Sequence, residues 1–225
     1  MRSNPVSITR SESALAVNRV LRNTYLLLSL TLLFSAGMAA WAIVTNAPPF
    51  NFIALLVGMF GLYFLTTWLR NSAWGLVAIF AYTGFMGYTL GPVLNFYIHN
   101  FSNGSQIIMT SLGATGLIFL GLSAYALTTR KNFSYMGGFI TVAVMVAFLL
   151  GLGAMIFNIP LLQLFISGAF AVLSSAFILY TTSQIIHDGE RNYIMATISL
   201  YISIFNLFVN LLRILSFFGG GNNRN

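Results

Sequence analysis

Cysteine is absent from these 225 residues, and acidic side chains are nearly so: Glu12, Asp188 and Glu190 are the only three. The first absence excludes disulfides, thiolate metal sites and palmitoylation. The second restricts chemistry inside a bilayer, where proton relays and ion sites are characteristically built on carboxylates. Only 6% of the chain is charged, against roughly 25% in soluble domains. A soluble globular class is excluded.

Apolar surface is what the chain has in abundance: 58% of its residues are hydrophobic and the mean hydropathy is +0.86. A membrane-crossing helix needs about 20 mostly apolar residues, and seven such runs are present, at 23–45, 52–69, 74–98, 106–128, 136–158, 162–185 and 194–217. The expected fold is an all-α integral membrane bundle of seven helices over 23–217, with a cytoplasmic tail over 1–22 and a short external tail over 218–225. The first run is too long for a signal-peptide core and reads as a retained span. Connections this short leave no room for an extramembrane domain.

The net charge of +7 reports topology, since the basic residues are scattered and form no nucleic-acid-binding stripe. Arg2, Arg10, Arg19, Arg22, Arg70, Arg130, Lys131 and Arg191 fall in the tail and in every second loop, leaving Arg213 and Arg224 for the other side. This bias predicts a cytoplasmic N-terminus and, after seven spans, an external C-terminus. Trp41, Trp68, Trp74 and Tyr193 mark span ends.

The third run contains GFMGYTLGP, in which Gly84, Gly87 and Gly91 share a helix face ahead of Pro92. Such a face lets a neighbouring backbone approach closely; a hinge beside a cavity is the alternative. Gly58, Gly61, Gly113, Gly116 and Gly121 are further packing candidates. In the tail, Ser11 or Ser13 can cap a helix leading into span one, serving as a basic anchor or as a handle for a cytoplasmic partner.

Span seven carries polar residues where lipid would be costly. At 100° per residue Ser199, Ser203, Asn206, Asn210 and Arg213 fall within an arc of roughly 80° and extend about 21 Å along the helix. This stripe either hydrogen-bonds to other spans or lines a narrow polar cavity, with Ser167, Ser174 and Thr181 of span six as candidate mates. Arg213 lies close enough to the span end to snorkel. The loop HDGERNY holds His187, Asp188, Glu190 and Arg191 and reads either as a turn before span seven or as a cytoplasmic docking site.

No span contains an aspartate or glutamate, which removes an aspartyl intramembrane protease. Ser167 lacks the glycine two residues before it that a rhomboid-like nucleophile would carry. His187 is about 30 Å further along the same span, and His99, on the outer side, is the one histidine that geometry leaves open as a partner. There is no phosphate-binding glycine loop and no metal-ligand spacing, so no catalytic residue, metal or cofactor is expected and the protein reads as a non-enzyme.

The segments RNTYLLLSLTL, TGFMGYTLGP, SAYALTTRK and ILYTTSQIIHDGERNYIMATISLYISIFNLFVNLLRIL together resemble the Bax inhibitor 1 family over nearly the whole chain, closest to its bacterial YccA-like branch. The resemblance implies a bacterial inner-membrane protein whose last helix is enclosed by the other six. It also implies association with the AAA protease FtsH and its HflK/HflC partners, restraining degradation of membrane proteins, with the N-terminal tail as the place where FtsH engages. The alternative it implies is a leak for calcium, other cations or protons. Other members gate that leak with two aspartates, and the matching positions here are Thr181 and Ser203, which cannot titrate near neutral pH.

Overall fold

The computed structural model describes residues 5–187 and 189–219. Its elements are α1 (Pro5–Val44), α2 (Phe52–Leu69), α3 (Trp74–Asn100), α4 (Gly104–Thr129), α5 (Met136–Ile156), α6 (Pro160–Ile186) and α7 (Tyr193–Gly219). Among the described residues there is no strand, and all seven helices contain a stretch long and apolar enough to cross a membrane. The seven-helix membrane fold expected from hydropathy is therefore present, with most span ends within a few residues of the sequence reading.

The main difference is at the start. The chain is already helical at Pro5, a residue whose missing N–H and fixed φ suit a first turn. Ser11 and Ser13 thus lie inside α1 instead of at its start, and residues 5–22 extend the first span as one helix.

The helices alternate in direction, as the contacts at the two ends show. Asn192 reaches Arg70 and Asn71, and Ser183 reaches Lys131 and Phe133, which gathers three loops at the end where α7 begins. At the other end Asn46 meets Asn95, and Gly219 meets Asn103. Asn46 and Asn158 close α1 and α5 there in the left-handed conformation, φ 48° and 49°, which asparagine tolerates better than most residues.

α7 packs against α1, α3, α4 and α6, whereas α2 is held mainly through α3 and α5 through α6. The last helix is central, but four helices rather than six enclose it. Its first turns are buried on every side: Ile194, Met195, Ala196, Thr197, Ile198, Leu200 and Tyr201 are all in the core. α2 buries only Thr66.

Close approach of α1 and α3 explains the glycine face of α3. A Cβ at Gly87 would run into the backbone carbonyl of Ser35, one at Gly91 into Ala42, and one at Gly84 into the Phe34 ring. α3 continues through Pro92 to Asn100. Gly58 faces the Phe85 ring, but Gly61, Gly113, Gly116 and Gly121 have nothing within 4 Å of a built Cβ. Those four are therefore not contact glycines, because α2 and α4 turn them away from their neighbours.

Candidate functional site around the last helix

The polar stripe of α7 does not hold together as one site. Ser203 and Asn210 are buried, Ser199 is half-buried, and Asn206 and Arg213 are exposed. Ser203 Oγ donates to the Ser199 carbonyl at 2.8 Å, Asn206 Nδ2 to Ile202 at 3.0 Å, and Asn210 Nδ2 to Asn206 at 2.7 Å. Ser167 and Ser175 of α6 likewise donate to Gln163 and Ala171, four residues back. These groups satisfy themselves on their own helices. The expected mutual bonding of the α6 and α7 faces is not seen among the described residues, and Thr181 is simply buried.

The hydrogen bonds that do cross between helices use residues outside the stripe. Tyr201, 1% exposed, lies 2.7 Å from Ser35 Oγ and donates to the Thr83 carbonyl at 3.2 Å, joining α7 to α1 and α3 through one hydroxyl. Ser35 supplies the hydrogen for the first of these, since the Tyr201 proton is committed to the carbonyl. Thr197 Oγ1 donates to the Tyr193 carbonyl at 2.7 Å and makes a longer, 3.3 Å contact to the carbonyl of Thr24. The signal lay in α1: Thr24, Thr31 and Ser35, spaced seven and four apart, share a face, and all three are buried.

The stripe's C-terminal part borders a cavity of about 660 Å³, walled by α5, α6 and α7 near the end of the bundle where α7 finishes. Asn210 and Arg213 line it together with Gln163, Ser167 and Ser216; Ser199, Ser203, Asn206 and Thr181 do not. Phe148, Leu152, Leu164, Phe170 and Phe217 supply apolar wall. Phe148, Leu152 and Phe217 are also exposed on the outside of the bundle, so the cavity opens laterally. It exists because α5 packs against α6 and stands off from α7.

Comparison with known proteins gives this bundle its lineage. A family model described as inhibitor of apoptosis-promoting Bax1 matches residues 17–220. The chain belongs to the Bax inhibitor 1 family. It is 50% identical over 206 residues to the Escherichia coli K12 protein named modulator of FtsH protease YccA, covering 91% of this chain and 93% of that one. It is 55% identical over 204 residues to an uncharacterized Pseudomonas aeruginosa protein, covering 91% of each. A Vibrio cholerae protein described as an uncharacterized membrane protein is 42% identical over 91% of this chain and 92% of that one.

In this Bax inhibitor 1 protein the HDGERNY loop is tied into the end of the bundle. Asn192 caps α7, its Oδ1 accepting from the N–H groups of Ile194 and Met195 at 3.0 and 3.1 Å. Its Nδ2 donates to the Arg70 carbonyl and to Asn71 Oδ1, both at 2.9 Å, and Glu190 accepts from its backbone N–H at 2.8 Å. His187 Nδ1 lies 3.0 Å from the Ser183 carbonyl. Arg191 is exposed, and Asp188 lies outside the described residues. Asn192, missed in the sequence, is recognisable afterwards as a cap residue just ahead of an apolar run. Among the described residues no three His, Cys, Asp or Glu side chains gather as a metal site would require.

Proposed function

We propose that this protein is a regulatory partner of the AAA protease FtsH in a bacterial inner membrane, modulating degradation of membrane proteins by association with FtsH and its HflK/HflC partners. The observation that carries the reading is the 50% identity, over nine-tenths of both chains, with a relative named for modulating FtsH. A relative from another Escherichia coli strain, equally similar, is named an inner membrane protein. The absence of carboxylates from the spans favours a binding role over catalysis. By the charge bias the N-terminus is cytoplasmic and the C-terminus periplasmic, which sets residues 1–22 on the side where a cytoplasmic protease domain can grip the chain.

Affinity purification of the tagged full chain from mild detergent tests this. FtsH with HflK/HflC should co-purify well above trace amounts, and deleting residues 2–18 should slow the protein's own turnover while leaving insertion intact. Recovery of an intact bundle without FtsH, with turnover unchanged in the deletion, would overturn the reading.

The lateral cavity favours one second reading, a cation leak. Against it stands Arg213: a fixed positive charge about 5 Å from a passing monovalent cation opposes it by roughly 3 kcal/mol at an effective dielectric of about 20. Were flux seen in liposomes, it should fall when Asn206 and Asn210 become leucine and lack a steep pH switch, because Thr181 and Ser203 hold the positions of the aspartate pair.

A further inference from the structure

The cavity beside Arg213 has the composition of a ligand site with one unanswered charge. Its volume of about 660 Å³ falls within the roughly 300–1,000 Å³ typical of small-molecule sites, which are mostly apolar with a few placed polar groups. Each of its polar side chains other than Arg213 already donates to a carbonyl: Gln163 Nε2 to Ala154, Ser167 to Gln163, Asn210 to Asn206 and Ser216 to Arg213. The Arg213 guanidinium has no hydrogen-bond or ion-pair partner among the described residues.

Nor does an acidic side chain among the described residues offer one. Glu190 lies before the start of α7 and Arg213 near its end, about 35 Å away along the helix axis, and Glu12 belongs to the first turns of α1, toward that same far end. A guanidinium near a helix end snorkels to the headgroup level, where its favoured partner is an anion, and such a partner lies outside the described residues.

Depth and shape narrow the class. α7 has 27 residues and is about 40 Å long, against a hydrocarbon core of about 30 Å, so the core boundary falls about 5 Å inside each helix end. Arg213, six residues before Gly219, lies about 9 Å from the end, and its side chain can reach back to the phosphate level. The apolar walls run into the exposed, lipid-facing surface of Phe148, Leu152 and Phe217. A soluble anion has no use for such walls; an acyl chain does.

We propose that the cavity between α5, α6 and the end of α7 is a binding site for an anionic phospholipid, its phosphate held by Arg213 and an acyl chain laid along the aromatic and leucine walls. Arginine suits this role because its planar fork can hold two phosphate oxygens at once. A net negative headgroup is preferred over a zwitterionic one, whose ammonium would face the same guanidinium.

Native mass spectrometry of the delipidated full-length protein, titrated with equal phosphatidylglycerol and phosphatidylethanolamine of matched chains, tests the site. Phosphatidylglycerol adducts should exceed phosphatidylethanolamine adducts by on the order of tenfold, the scale of one charge-assisted contact. Arg213→Gln should abolish the preference, and Arg213→Lys should keep part of it. Gly151→Leu should reduce retention of both lipids with Arg213 intact, since a Cβ there meets only Ile166 at an ordinary 3.7 Å and the added side chain fills cavity. Unchanged adducts in both Arg213→Gln and Gly151→Leu would overturn the proposal; if Arg213→Gln fails to fold, Gly151→Leu decides alone. Displacement of the lipid by millimolar inorganic phosphate would also overturn it, identifying a soluble-anion site.

Discussion

α7 meets its neighbours in two contrasting ways. Toward α1 and α3 the interface is closed: Gly84, Gly87 and Gly91 bring α3 against α1 so tightly that a single methyl would strike backbone or ring atoms, and Tyr201 bridges both helices. Toward α5 it gapes: α6 packs along α7, but α5 stands off, leaving the 660 Å³ cavity between α5, α6 and the end of α7. Lipid tails are as apolar as leucine, so burial of apolar side chains alone does not drive two helices together; close backbone approach and interhelical hydrogen bonds do. The first side has both devices. On the second, α5 contributes Gly151 and Gly153 to no tight contact, the Ser167 hydroxyl and Asn210 amide turn back to their own helices, and Gln163 of α6 reaches α5 at the Ala154 carbonyl without touching α7.

The largest difference between the sides should therefore appear at glycine. Gly87→Leu forces a side chain into the Ser35 carbonyl, backbone that can move only by parting α1 from α3, and should cost about 3 kcal/mol or more, at the severe end for overpacking. Gly151→Leu, at the open side, should change stability by less than about 0.5 kcal/mol. Thermal unfolding of the two variants in one detergent compares them directly. Equal losses would mean that the cavity is as rigidly determined as the glycine face.

Next comes the hydroxyl that links three helices. Tyr201→Phe keeps the ring and removes both interhelical contacts, with an expected cost of about 1–2 kcal/mol given the modest worth of such bonds in membranes. Combined with Ser35→Ala the losses should fall short of additive, because the second change removes a bond already broken. Strict additivity in that cycle would remove the bridge from the account of why this side is closed.

How far the sequence could reveal this asymmetry depends on the kind of residue. Seven spans were legible because length and hydropathy are set by the bilayer, not by neighbours. The stripe from Ser199 to Arg213 was legible as a pattern, but its partners were not: a serine or asparagine on a helix can always use the carbonyl one turn back, and nothing in the spelling says which it will choose. Tyr201 was overlooked because it sits between Leu200 and Ile202, outside the stripe. The glycines divide for a related reason, since Gly87 and Gly113 look alike until it is known which helix faces them.

At the end of the bundle away from the cavity, Asn192 offers a test that both sides of α7 share. Asn192→Ala removes the cap and the two bonds to Arg70 and Asn71, at a cost of about 1 kcal/mol. Faster amide exchange should be confined to residues 193–196 and the 70–73 loop, because the buried turns beyond are held by packing and by the Tyr201 bridge, independently of the cap. Exchange spreading to Tyr201 would show that the closed interface depends on that cap.

The smallest effect should come from Ser167→Ala in the cavity wall. Its hydroxyl donates only to Gln163 of the same helix, whose carbonyl already has the helical bond, so nothing is left unsatisfied by its removal. Stability should stay within about 0.5 kcal/mol of the parent, whereas Tyr201→Phe, which also removes a single oxygen, should cost several times more. The pair isolates one variable, whether a buried hydroxyl bonds within its helix or across to another. If Ser167→Ala proved as damaging as Tyr201→Phe, the open side would be held by hydrogen bonding after all, and the standing-off of α5 would need another cause.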